Sequence, residues 1–364
     1  MDRITRRTLL ATGLATTLAG GAAAPALAAA PKRIVLLING TRGDKSFFDS
    51  AAAGMDLIKQ KYGAAVDTRT IEMSYDESKW QPTLEDVASQ NWDLIITGTY
   101  QMIDLVAQAA PDNPKKTFVV YDGTMDYKGG AFKNVYSITY KQNEASYLAG
   151  LIGEGLIKAG GQKGSDLGFL GGLDIPVIND FLVGYVAGAQ AVSPAAKVAV
   201  SYIGSFSDAA KGKELALEQY RTGTAIGFNV AGQAGLGQLA AAKDADKLAI
   251  GVDSDQSAIF AKTDPAIADR VVTSVLKRVD VSLARAADLL MAGSLPVGRE
   301  ESLGLKEGAV GIVDNDVYRK IVPADLRAQV AQASADIADG KFKVPTALGM
   351  PTGDLVALRN KVRP

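Results

Sequence analysis

The chain has 364 residues, 47% hydrophobic and 22% charged, with a formal net charge of −1. That length holds two domains with sizeable cores, and the charge leaves no polybasic block for nucleic acid or an anionic membrane to bind. The chain contains neither cysteine nor histidine, which excludes Ser-His-Asp and Cys-His catalysis, thiolate and imidazole metal sites, disulfides and a thiol-borne lipid anchor.

Residues 1–28 have the form of an export signal. Thr5-Arg6-Arg7-Thr8-Leu9-Leu10 is a twin-arginine pattern, an Ala/Leu/Gly stretch follows, and Ala26-Leu27-Ala28 is a small-x-small cleavage site. Arginine pairs also occur in Sec signals; Leu9 and Leu10 directly behind this one favour the twin-arginine route. No later stretch is long and apolar enough to span a bilayer, so the expected product is periplasmic, soluble and not lipid-anchored.

Strands are predicted near 33–38, 66–71, 93–98, 117–121 and 134–139, with helices near 46–62, 83–90, 101–110 and 142–159. The second half repeats the alternation, with strands near 166–170, 197–203, 224–229, 247–252, 270–274 and 309–313. Its helices fall near 177–192, 208–221, 233–243, 275–292 and 323–338. Strand and helix alternating through short links implies parallel sheets covered on both faces. The stretch 166–190 reads as strand, tight Gly171-Gly172 turn and helix, the unit whose open end forms a ligand crevice in parallel α/β sheets. Residues 33–62 repeat that unit. Two α/β lobes around a cleft are therefore expected, and the lack of a linker implies that they exchange the chain more than once. The expected division is 32–138 plus 256–295 in one lobe and 139–255 plus 296–364 in the other.

Polar residues stand just past several predicted strand ends: Asp44 and Ser46, Asp122, and Asp253 in Gly-Val-Asp-Ser-Asp-Gln. Lys277 is predicted in the first turn of the following helix. Each alone is a helix cap, a surface charge or a ligand contact; their equivalent topological positions favour the last. Phe47 and Phe228 are aromatics at comparable places, each readable as core or as cleft wall. Phe47 lies in a loop of Gly, Asp and Lys, which weakens the core reading. Gly232, Gly235 and Gly237 form G-x-x-G-x-G, not the dinucleotide fingerprint, and there is no Walker lysine. No cofactor is expected.

The phrases at 44–54 (DKSFFDSAAAG), 168–188 (GFLGGLDIPVINDFLVGYVAG), 228–237 (FNVAGQAGLG), 249–256 (AIGVDSDQ) and 273–280 (TSVLKRVD) resemble the basic membrane protein family. These are the purine-nucleoside receptors of ABC importers, with the fold of type I periplasmic binding proteins. The resemblance implies a purine held between two aromatics, which fall on Phe47 and Phe228. It implies a base-reading carboxylate at Asp122 and ribose contacts at Asp253 and Lys277, with Asp44, Ser46 and Gly232 as further lining. The family often has Asn where this chain has Phe48, and many members are lipoproteins whereas this chain lacks cysteine.

The expectation is a monomeric, non-enzymatic receptor that closes over guanosine or inosine in preference to adenosine and presents the closed form to an inner-membrane permease. A receptor for a free base, a flavin or a pentose is the alternative within the class. An exported nucleosidase using Asp44, Asp122 and Asp253 is the alternative outside it.

Overall fold

Continuous runs of aliphatic residues alternate with amphipathic stretches along the chain. In the computed structural model, which describes residues 30–364, these form two mostly parallel sheets flanked by helices. The expected export signal at 1–28 lies outside the described residues. The chain runs β1 (Lys32–Ile38), α1 (Phe47–Tyr62), β2 (Val66–Glu72), α2 (Trp80–Ser89), β3 (Leu94–Gly98), α3 (Ile103–Asp112), β4 (Thr117–Tyr121) and β5 (Val135–Tyr140). After α4 (Gln142–Ala159) come β6 (Asp166–Gly171), α5 (Pro176–Val192), β7 (Val198–Tyr202), α6 (Ala209–Arg221), β8 (Thr224–Val230) and α7 (Gly232–Asp244). Next are β9 (Leu248–Asp253), the short α8 (Gln256–Phe260) and α9 (Pro265–Ala268), and β10 (Val271–Lys277). The remainder is α10 (Val279–Met291), β11 (Arg299–Leu303), β12 (Val310–Ile312), α11 (Asp316–Ile321), α12 (Ala324–Ala338) and α13 (Thr352–Val362).

One sheet has the order β11-β5-β4-β3-β1-β2 and the other β12-β10-β9-β8-β6-β7. Every pairing is parallel except β12 against β10. Both sheets reverse their strand order beside their first strand, β1 or β6. Such a switch point leaves a crevice at the carboxyl ends of the strands. The central strands are buried along most of their length, as strands covered by helices on both faces must be.

The chain passes from the first sheet to the second after β5, returns after β10 and crosses again after β11. Two expected boundaries need correction. Residues 256–277 were expected with the first lobe, but the apolar run Val271–Lys277 pairs in parallel with β9 of the second sheet. Residues 299–303 were expected with the second lobe, but they pair with β5 of the first. As an edge strand, Arg-Glu-Glu-Ser-Leu buries only its last residue, so no apolar periodicity announces it.

Helices α4 and α5 approach through glycine. A Cβ at Gly184 would lie 2.2 Å from the Asn143 carbonyl oxygen, and one at Gly188 would lie 1.9 Å from that of Tyr147. This contact fixes α5, and with it the cleft-facing loop that precedes α5.

Candidate functional site

A cleft of about 410 Å³ opens where the strand ends of the two sheets meet, within the range of ~300–1,000 Å³ usual for small-molecule sites. The first lobe lines it with Asn39, Asp44, Phe47 and Phe48 after β1, Thr99 after β3 and Asp122 after β4. The second contributes Leu173 and Ile175 after β6, Phe206 after β7, Val230 to Gln233 around the end of β8, Asp253 at the end of β9 and Lys277 at the end of β10.

The β1–α1 loop folds around carboxylates. Asp44 accepts the backbone N–H groups of Ser46, Phe48 and Asp49 at 3.1, 2.8 and 3.0 Å. Asp49 accepts those of Gly43 and Lys45 at 2.7 and 2.9 Å. Asp44 thus satisfies first-turn donors of α1, a task usually left to the N-cap side chain. Ser46 occupies that N-cap position but makes no side-chain cap, so its hydroxyl is free to donate to Asp253 Oδ2 at 2.5 Å. Burial pushes the Asp44 carboxyl up to about 6 against those three N–H bonds.

Asp253 is buried, and desolvation raises it to about 7, although the Lys277 charge and the Ser46 hydroxyl oppose the shift. Lys277 Nζ lies 2.8 Å from Asp122 Oδ1, with both side chains almost withdrawn from solvent. The same ammonium sits 5.0 Å from the Phe181 ring centre and 5.6 Å from that of Phe47, close enough for attraction to their π faces. The contacts of Lys277 with Asp122 and Phe47 bridge the lobes, as does the Gln256 side-chain amide, which donates to the Lys45 carbonyl at 3.3 Å. Thr99, Asp122 and Asp253 have φ of 71°, 56° and 63°. Left-handed backbone at a non-glycine residue is strained and clusters at functional sites.

Of the residues singled out in the sequence, Phe47, Asp122, Asp253, Lys277, Asp44 and Gly232 line the cleft, and Ser46 stands behind it, bonded to Asp253. Phe228 does not reach it. Its ring is fully buried, packed 5.8 Å from Phe169, 6.2 Å from Phe181 and 5.1 Å from Tyr185. β8 continues to Val230, so Phe228 points into the layer under the sheet, not off its end. The aromatics of the second lobe that line the cleft are Phe206 and Phe181. Phe206 lies in Gly-Ser-Phe-Ser, a polar turn after a strand, the same signal that marks Phe47. Lys277 is the last residue of β10, not part of a helix, because the buried run carries the strand through it before α10 begins at Val279.

Two facing α/β lobes with a polar and aromatic cleft between them define a solute-binding protein. The model of the family described as ABC transporter substrate-binding protein PnrA-like matches residues 31–337, and the chain belongs to that family. It is 34% identical, over 86% of its length and 88% of the relative's, to the ABC transporter nucleoside-binding protein BmpA of Lactococcus lactis. It is 30% identical to basic membrane protein A of Borreliella burgdorferi, with coverage of 86% and 88%. A solved ABC transporter solute-binding protein from Aeropyrum pernix shares the fold at a TM-score of 0.76 and 24% identity, over 92% of this chain and all of that one. Members of the family bind small-molecule substrates for ABC transporters, work with a membrane permease and are not enzymes. Among the described residues, no helix is long and apolar enough to cross a membrane.

Proposed function

We propose that this chain is the periplasmic receptor of an ABC importer for purine nucleosides, exported by the twin-arginine route and acting as a monomer with an inner-membrane permease. The observation that carries the reading is an aromatic from each lobe, Phe47 and Phe206, lining one cleft with the Asp122–Lys277 and Ser46–Asp253 pairs. A purine stacks between the rings, and such stacking contributes ~1–3 kcal/mol per base and tolerates any purine. Ribose hydroxyls donate to Asp253 and accept from Lys277. Asp122 keeps one oxygen on Lys277 and turns the other to N1–H of a 6-oxopurine. Adenine offers a lone pair there, which an ionised carboxylate cannot pair with, so guanosine and inosine bind more tightly.

Asp44, Glu77, Asp122 and Asp253 line the cleft with Lys277 as the one cation among its described lining residues. That balance repels phosphate and favours nucleosides over nucleotides. Calorimetry of ligand-stripped protein with guanosine, adenosine and guanosine monophosphate tests the reading. Affinity should fall in that order, with the nucleotide weakest. Equal affinities for guanosine and adenosine, unaltered in Asp122→Asn, would remove Asp122 from the base-reading role.

A further inference from the structure

The family match ends at residue 337, and α13 lies beyond it, with its Leu355 in an apolar cluster with Ala347 and Val183 of α5. From this helix Arg359 reaches the β6–α5 loop that carries Leu173 and Ile175 into the cleft. Its guanidinium grips Asp174 of that loop with two hydrogen bonds, Nη1 to Oδ2 at 2.9 Å and Nη2 to Oδ1 at 2.6 Å. Nη2 also donates to Asn179 Oδ1 at 2.8 Å, and the Tyr202 hydroxyl donates to the same oxygen at 2.6 Å. Asn179 Nδ2 closes the network on Asp174 Oδ1 at 2.8 Å, and the Arg359 guanidinium lies 4.8 Å over the Tyr202 ring.

We propose that Arg359 is a positioning residue for the binding cleft, and that the C-terminal helix is thereby part of the binding machinery, not a passive extension of the second lobe. The loop is otherwise held by backbone hydrogen bonds and by Ile175 against the core. Gly172 donates to the Val230 carbonyl at 2.9 Å, and its own carbonyl accepts from Gly204 and Ser205 at 2.8 and 3.1 Å. A side chain at Gly172 would collide with the Phe206 ring, 2.4 Å from the added Cβ. The loop set by Arg359 therefore also seats the backbone and ring of the segment bearing Phe206. A planar bidentate fork holds a carboxylate in one orientation, which a lysine at the same place cannot do.

The inference rests on the cleft being the ligand site, and its use of guanosine rests on the nucleoside reading. The test uses the full chain and its variants Arg359→Ala, Arg359→Lys, Asp174→Ala and the Arg359→Ala/Asp174→Ala double. Hydrogen exchange is followed at the amides of Gly172 and Ile175 in the ligand-free protein, with β1 amides as the reference. Guanosine affinity is measured alongside. Both single alanine variants should speed exchange in the loop and not in β1, and weaken guanosine by about 5- to 20-fold. The double variant should be no worse than either single one, and Arg359→Lys should recover only part of the loss. Unchanged loop exchange, or unchanged affinity in a guanosine-binding protein even if the melting temperature drops, would reduce α13 to a structural role and overturn the proposal. If the wild type takes no guanosine, the nucleoside reading fails on its own. Loop exchange then decides this proposal: faster in both single variants sustains it, unchanged overturns it.

Discussion

Asp253 holds its proton up to about pH 7 because burial disfavours the anion more than Lys277 and Ser46 favour it. The native state therefore binds this proton more tightly than the unfolded chain, whose carboxyl titrates near ~3.9. The contribution to stability is fullest below about pH 4 and is lost as pH rises through about 7, by ~4 kcal/mol at most at 1.36 kcal/mol per unit. Urea unfolding at pH 4.5, 6 and 7.5 should show the wild type losing stability relative to Asp253→Asn with rising pH; a constant difference would contradict the assignment. If ribose hydroxyls donate to Asp253, they favour its anion, so binding near pH 6.5 releases a proton. Calorimetry in buffers of different ionisation enthalpy should register that proton in the wild type and not in Asp253→Asn. The aromatics divide by burial. Phe47→Ala and Phe206→Ala should each weaken purine nucleosides by ~1–3 kcal/mol, about 5- to 150-fold. Phe228→Leu should leave affinity near that of the wild type while lowering the unfolding midpoint. The cleft position of Phe47 was legible because a Gly/Asp/Lys-rich segment puts this aromatic at the start of α1, where it packs against Tyr121 on one side and still lines the cleft. Phe228 misled because strand register and length, not residue type, decide where a strand-end side chain points.

Elements were legible where apolar runs or amphipathic faces mark them, which covers nearly all the parallel strands and their crossover helices. The polar edge strand β11 and the small helices α8, α9 and α11 carry no such signal, and neither does α13, which buries only Leu355 and Val362. The close α4–α5 approach also leaves only an indirect trace, Gly184 and Gly188 one helical turn apart. At Gly184 the obstruction is the Asn143 backbone, which cannot rotate away as a side-chain tip would. Gly184→Ala should therefore destabilise the fold by ~1–3 kcal/mol, the usual cost of overpacking, and urea denaturation would measure it. Unchanged stability would mean that α4 and α5 separate easily and that their glycines are not what positions α5.

At the scale of the whole molecule, the cleft needs both sheets. Asp122 and Ser46 come from one, Lys277 and Asp253 from the other, and their bonds cross between lobes that the chain links repeatedly. A ligand that engages both pairs would favour the arrangement in which they meet, by its differential contacts with it. Doubled α/β architecture was legible from the repeated strand, glycine-turn and helix opening. The exact exchange of elements was not, because a pairing such as β11 with β5 joins segments far apart in the chain, a choice that no local pattern records. As proposed, this cleft captures a purine nucleoside and returns it intact. The decisive measurement is titration of ligand-stripped protein with guanosine in a calorimeter, followed by mass spectrometry of the released ligand. One guanosine per chain should bind saturably and be recovered unchanged; no binding of any purine nucleoside, or recovery of free guanine, would rule the nucleoside-receptor role out.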